Sequence, residues 1–462
     1  MYNELGDDMR NISKQLNKIN KLIKVQGAMP GHKGKIKINP SHDLTELSGL
    51  DNLQNPTGAI KKAEDRAAVI YGVEYARYLV NGSSGGNLTL IFSFFKEGDK
   101  IIVERNCHKS VFNGILLRKL KPVYLWPQLD RWGNALPQSS QTVEEALREH
   151  PDSKGVLLTL PSYKGLVSDY KAVYQVTQRR DVKLIVDGAH GAALAGLKEF
   201  QGFYQSCDAM VISAHKSLAC LNQGALILGN CREDQPIVIK YSNMFQTSSP
   251  SYLIMESMEA SVEELAQGAY LDPPDFNKEN YERLCLNPLN EELLQDPWKL
   301  LLYAQDKGRF MDAFLEAKGI FAEMHDRDSL LLMLSPKNGL ADIHSIKIAL
   351  KELDKALVQE VETEDDWEAS YTGHALINRA LKPDQRFLPW QVGDEFKELS
   401  LQEAIGSTAQ EQVIPYPPGI PLLQPGERID EEMVEHIETL LEQNIEIIGL
   451  TDHKVRCIKE EL

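Results

Sequence analysis

Between Tyr78 and Gly229 the chain carries seven short apolar runs, the first six each followed by a loop or a helix-like segment. The runs are Tyr78-Leu79-Val80, Ile101-Ile102-Val103, Val123-Tyr124-Leu125, Val156-Leu157-Leu158, Leu184-Ile185-Val186, Met210-Val211-Ile212 and Ala225-Leu226-Ile227-Leu228. Each is too short for a helix and too continuously apolar for a strand with one wet face. Such runs predict strands buried on both sides, joined by helical crossovers in a mostly parallel sheet. The expected fold is therefore α/β with a seven-stranded central sheet. Ligands of such sheets bind at the strand ends.

The flanking regions read differently. Leu5, Met9, Ile12, Leu16, Ile19 and Ile23 form one apolar helix face, suited equally to a partner subunit or to the chain's own core. Residues 28–55 read as an ordered loop rich in Gly, Pro, Asp and Asn. Thr57 to Tyr71 reads as a helix, preceded by Pro56 and ended by Gly72. After Asn287 a helical stretch (Trp298 to Glu316) leads to a strand-like Leu330-Leu331-Leu332-Met333-Leu334. A Pro/Gly-rich loop (Pro415 to Gly426) and a helix (Asp430 to Gln443) follow. This divides the chain into an N-terminal helix and loop segment (1–56), a large domain (57–286) and a smaller C-terminal α+β domain (287–462). Internal repeats and low-complexity segments are not evident.

Charge and cysteine usage narrow the class of partner. The 462 residues carry 67 acidic against 50 basic side chains, a formal charge of -17. Nucleic acid is not expected, because neutralising phosphates needs an excess of Lys and Arg. The acidity suits a small cationic substrate, or simply solubility. None of the six cysteines is spaced C-x-x-C, so no zinc or redox motif is present and no metal is expected. No apolar run is long enough to span a bilayer, and the N-terminus lacks a signal-peptide core. A cytoplasmic protein with reduced thiols is the expectation.

Four polar elements fall just past the predicted strands. Asn81-Gly82-Ser83-Ser84-Gly85-Gly86-Asn87 is a turn of small residues opening a helix, which lets backbone N–H groups approach a phosphate; by itself it is also an ordinary turn. Arg105-Asn106-Cys107-His108 offers an imidazole for stacking on a flat ring, or a plain loop histidine. Asp187 ends a strand before Gly188-Ala189-His190-Gly191, and serves either a pyridine nitrogen or a helix cap. Ser213-Ala214-His215-Lys216 places a lysine where desolvation would make its amine nucleophilic, although most such lysines are solvated loop residues. Their order is phosphate turn, stacking His, ring-nitrogen Asp and Schiff-base Lys. That is the order of fold-type I pyridoxal-phosphate (PLP) enzymes.

The sequence resembles the short form of the Orn/Lys/Arg decarboxylase family. The resemblance is carried by Pro30-Gly31-His32-Lys33-Gly34, Asp43-Leu44-Thr45-Glu46-Leu47, Gly49-Leu50-Asp51-Asn52-Leu53, Cys107-His108-Lys109-Ser110, Asp187-Gly188-Ala189-His190-Gly191 and His215-Lys216. Thr247-Ser248-Ser249-Pro250-Ser251-Tyr252 and Tyr416-Pro417-Pro418-Gly419-Ile420-Pro421 with Pro425-Gly426-Glu427 extend it over nearly the whole chain. It implies a PLP-dependent transferase fold in which Lys216 carries the cofactor and Asp187 faces its ring nitrogen. His108 stacks on the ring, and Ser83, Ser84, Gly85 and Ser213 hold the phosphate. Ala189 and His190 lie beside the ring, and His215 handles protons. Thr247 and Ser248 reach the phosphate of a neighbouring subunit, so a homodimer with shared sites is implied. The reaction implied is decarboxylation of arginine, lysine or ornithine to an amine of polyamine metabolism. Glu427 is the expected partner of the substrate's distal cation, or else a helix cap; Glu46, Asp43 and His32 are further candidates around the substrate.

The chain also departs from the family. Ser84 and Ala214 stand where Thr is common, and Ala193 where His is frequent. Gly406-Ser407 stands where Gly-Arg is frequent, and Glu256 where a small residue is usual. These departures bear on substrate identity rather than on the cofactor. The large N-terminal wing of the long, acid-inducible members is not seen, so their decameric assembly is not expected. An aminotransferase or lyase, or a silent PLP-binding paralogue that regulates, are the competing readings. No arginine stands out to grip an α-carboxylate, which favours decarboxylation.

Overall fold

The computed structural model describes residues 11–130, 132–276, 280–287, 293–360, 382–416, 419–442 and 445–459. Leu5 and Met9 of the N-terminal apolar face, and Pro417-Pro418, lie outside them. All seven apolar runs form strands of one sheet: β1 Tyr75–Leu79, β2 Lys100–Glu104, β3 Lys121–Leu125, β4 Gly155–Thr159, β5 Lys183–Asp187, β6 Ala209–Ile212 and β7 Ala225–Gly229. Their order is β1-β7-β6-β5-β4-β2-β3. Strands β3, β2, β4, β5 and β6 pair in parallel, and β7 runs antiparallel between β6 and β1. This is the α/β fold of the type I PLP enzymes.

The sheet is buried on both faces, as the runs require. Ile102, Val156, Leu158, Leu184, Val186, Met210 and Ile212 point into one apolar cluster. Their neighbours Ile101, Val103, Leu157, Ile185, Ala209 and Val211 point into another. The period of two thus splits a continuous apolar string between two cores. The helix Ala59–Tyr71 ends at Gly72, whose φ of 68° supplies the left-handed cap.

Two further bodies follow the sheet in sequence. An antiparallel sheet contains Cys285–Leu286, Lys299–Tyr303, Ser329–Met333 and Met324–His325. Here the structure corrects the helix expected over 298–316. Leu300, Leu301 and Leu302 are fully buried in a strand, and the helix starts only at Gly308. A three-leucine run lacks the period that separates a buried strand from a buried helix. The C-terminal body packs the helix Glu431–Glu442 on strands that include Phe396–Ser400 and Lys454–Ile458, around its own core of Val413, Leu423, Val434, Ile437 and Val455.

The N-terminal segment is drawn into the fold. Val25–Gly27 pairs in parallel with Ile320–Ala322, an association the loop composition does not signal. In the helix Asn11–Leu22 the apolar side chains Ile12, Leu16 and Leu22 stay exposed. No described helix is long and apolar enough to cross a membrane.

Candidate active site

The carboxyl-terminal ends of β5 and β6 build the centre of the site. Asp187 is the last residue of β5 and is 2% exposed. Its Oδ1 accepts the Ala189 N–H at 3.2 Å and its Oδ2 accepts Asn87 Nδ2 at 2.8 Å. Past β6, Ser213 precedes a single helical turn, Ala214–Ser217, that carries Lys216. The Ser213 N–H donates to the Ala189 carbonyl at 3.2 Å, which ties the lysine turn to the aspartate loop. Lys216 Nζ lies 3.0 Å from His190 Nε2. Burial pushes the Lys216 amine below its ordinary value, and the nearby charges of Asp187 and Glu323 oppose that shift.

His108 caps the helix Lys109–Arg118, its Nδ1 accepting from Ser110 N at 3.2 Å and lying 2.8 Å from Ser110 Oγ. Ser110 Oγ also accepts from Asn87 Nδ2 at 2.9 Å. Asn87 therefore spends both N–H bonds bridging Asp187 to the His108 turn. With Ser110 donating, His108 Nδ1 is the acceptor and the ring is neutral. Burial pushes its pKa down to about 4, against the opposing pull of Asp187. His190 is pushed well below its ordinary range, by burial first and then by Lys216. His215 is lowered to about 4 by burial; its Nδ1 lies 2.9 Å from the Gly224 carbonyl, which leaves Nε2 as the ring atom not bound to it.

The phosphate turn lies at the end of β1. Ser213 Oγ donates to Ser83 Oγ at 2.8 Å, joining the two predicted phosphate elements. Gly82 has φ 67°, and Ser83, Ser84 and Gly85 form the first turn of the helix Gly82–Phe94, with Ser84 exposed and Gly85 buried. The helix start, two linked hydroxyls, a carboxylate at a buried strand end and a buried amine together fit PLP. The Asn87 Oδ1 atom is buried without a partner beside that carboxylate.

The remaining expected residues make contacts of their own. Glu427 is 1% exposed, and both its oxygens are taken by Arg105, Nη2 at 2.8 Å and Nε at 3.2 Å. It also accepts the Gln424 N–H at 2.7 Å. The carboxylate expected to meet a substrate cation is thus committed to an internal pair, and the arginine is equally unavailable to grip an α-carboxylate. His32 Nδ1 accepts from Gly34 N at 2.9 Å, in a loop whose Gly31 N–H donates to the His215 carbonyl at 2.9 Å. No described contact joins Glu46 to Lys216, Asp187 or His108; its Oε1 is buried without a partner. Asp43, the other weak candidate, follows the short turn Pro40–His42 and is exposed. Thr247 and Ser248 are exposed, with Thr247 Oγ1 accepting from Ser249 N at 3.2 Å.

Sequence reasoning missed Asn87 in its bridging role, Arg105, Tyr163 and Glu323. Tyr163 packs edge-on to His190, ring centres 4.8 Å apart, and its hydroxyl donates to Glu323 Oε1 at 2.8 Å. The Gly419 carbonyl accepts from Lys109 N at 3.1 Å, so the C-terminal body closes over the His108 turn. Its Pro/Gly signature was legible; the contact was not.

The family model described as Orn/Lys/Arg decarboxylase, major domain, matches residues 39–270, and that family's C-terminal domain matches 369–454. An uncharacterized protein, YaaO, of Bacillus subtilis (strain 168) is 33% identical over 88% of this chain and 87% of its own length. An arginine decarboxylase of the same strain is 30% identical over 95% of each chain. The structure of the Escherichia coli constitutive lysine decarboxylase superposes with a TM-score of 0.72 at 19% identity, covering 90% of this chain and 75% of that one; at that identity it speaks for the fold. The chain therefore belongs to the Orn/Lys/Arg decarboxylase family, as a PLP-dependent decarboxylase.

Proposed function

We propose that this protein decarboxylates a basic amino acid, arginine, lysine or ornithine, to the corresponding amine and CO2, and serves polyamine metabolism in the cytoplasm. The observation that carries the reading is the Lys216 amine, set 3.0 Å from His190 on a turn tied to the Asp187 loop. In this reading Lys216 holds the cofactor, and Asp187, braced by Asn87, faces its ring nitrogen. His108 stacks on the ring, with Ala189 and His190 beside it. Ser83, Ser84, Gly85 and Ser213 take the phosphate, and Thr247 and Ser248 serve the site of a second subunit. Bound PLP supplies the electron sink for the bond to the departing carboxylate. His215 offers Nε2 for the proton at the reacting carbon, because its Nδ1 faces the Gly224 carbonyl. Arg105 is locked to Glu427, so it offers no clamp for the carboxylate that must leave.

A direct test measures visible absorbance of the purified protein and CO2 release with arginine, lysine and ornithine. We expect a cofactor band that Lys216→Ala abolishes, and turnover of one of the three amino acids. A band that survives Lys216→Ala overturns the cofactor assignment. Transamination without CO2 release overturns the reaction.

A further inference from the structure

Glu323 occupies a junction of three segments around the lysine. Its Oε1 accepts from the Tyr163 hydroxyl at 2.8 Å and its Oε2 from the Met29 N–H at 2.8 Å. Tyr163 lies in the loop that follows β4 and rests edge-on against His190, which touches Lys216. Met29 opens the N-terminal loop whose Gly31 N–H donates to the carbonyl of His215, the residue before that lysine. Glu323 itself is anchored to the second sheet, its N–H donating to Leu331 at 2.9 Å. The Tyr163 backbone is held from the same sheet, where Lys299 Nζ donates to its carbonyl at 2.6 Å. One carboxylate thus closes two paths that converge on Lys216, one through a side-chain stack and one through the backbone.

We propose that Glu323 is a positioning residue for the reaction: by accepting from Tyr163 and Met29 it holds His190 and the N-terminal loop in register with Lys216. The inference rests on the reading of Lys216 as the cofactor lysine. Glu323 acts by hydrogen bonding from outside the reacting atoms. Glutamine keeps an acceptor for Met29 and sets an N–H against the Tyr163 oxygen, so it preserves both links. Alanine keeps neither.

The test compares Glu323→Ala, Glu323→Gln, Tyr163→Phe and the Tyr163→Phe/Glu323→Ala pair, each purified with PLP. Losing hydrogen bonds to a charged group predicts, for Glu323→Ala, a fall in kcat of about tenfold or more, with KM within about twofold, and a PLP dissociation constant raised about tenfold. Glu323→Gln should recover most of both losses. The double variant should be less impaired than the product of the two single effects, because they share one link. Three results would overturn the proposal: glutamine as poor as alanine, independent effects of Tyr163→Phe and Glu323→Ala, or an unchanged Glu323→Ala. If Glu323→Ala does not fold, a cycle of Tyr163→Phe with Glu323→Leu, which fills the space but accepts no hydrogen bond, read by PLP affinity, carries the same comparison. Loss of the Lys216-dependent band in the unsubstituted protein would instead sink the cofactor reading itself.

Discussion

Arg105 and Glu427 meet as a bidentate ion pair with both side chains buried, across 322 residues of sequence. Arg105 also donates to the carbonyls of Pro421 at 2.7 Å and Leu422 at 3.0 Å, and lies over the rings of Phe112, Tyr124 and Trp126. The pair fastens the C-terminal body to the loop that carries His108. Glu427→Gln leaves a buried guanidinium without its counter-charge, a change that costs about 3 kcal/mol or more. A lower urea midpoint is expected, with KM for a basic amino acid within about twofold. A large rise in KM at unchanged stability would return Glu427 to the substrate.

Asn87 stands between the two residues that would flank the cofactor ring. Its amide donates to Asp187 at 2.8 Å and to Ser110 at 2.9 Å. Asn87→Ala removes a buried donor from a carboxylate and frees the His108 turn at once. We expect kcat/KM to fall by about tenfold or more, from the lost charge-assisted bond. Ser110→Ala, which spares Asp187, should fall less. Steady-state kinetics of the two variants side by side decide the order.

The pH dependence of the cofactor-free protein follows from His215. Its folded pKa, lowered to about 4 by burial, lies below the ordinary 6.5. The unfolded chain therefore binds the proton first as pH falls. The stabilisation is whole above about 6.5 and drains as pH drops toward 4. Between pH 7 and 5 it amounts to about 2 kcal/mol for one such histidine. Urea unfolding at the two pH values should show that much less acid sensitivity in His215→Gln than in the unsubstituted protein. His108 and His190 shift in the same sense and remain in both, so the difference belongs to His215.

How much of this was legible follows from how local each signal is. Every strand of the main sheet could be read, because continuous apolar runs with turns between them have few other uses. Asp187 closes its strand, and His108 and Lys216 follow theirs within a few residues, so each is a local feature of a strand end. Leu300-Leu301-Leu302 reads as helix although it forms a strand, because three leucines carry no period. Glu427 reads as a partner for a substrate cation or as a helix cap, because its partner Arg105 lies in another body of the fold and leaves no local signal. Asn87 reads as part of a phosphate turn; only the approach of the helix to β5 turns its amide toward Asp187. Glu323 and Tyr163, 160 residues apart, carry no sequence signal of their meeting.

Gly31 marks where the N-terminal loop is pressed against the lysine turn. A Cβ there would lie 2.3 Å from the Leu218 carbonyl oxygen and 2.9 Å from the Ser217 carbonyl carbon, and backbone cannot rotate away as a side chain can. Gly31→Ala must push the loop outward. That stretches the Gly31 N–H bond to His215, 2.9 Å, and the bond from Ser335 Oγ to the Gly31 carbonyl, 2.6 Å. Overpacking of this kind costs about 1–3 kcal/mol. Because the strain falls on the turn that bears Lys216, cofactor affinity should weaken along with stability. Gly339→Ala is the control: its Cβ would meet nothing within 4 Å. Melting curves with and without PLP separate the two effects. A smaller PLP-induced rise in Tm for Gly31→Ala than for Gly339→Ala is the expected result, and equal rises would show that the loop and the lysine are not mechanically joined.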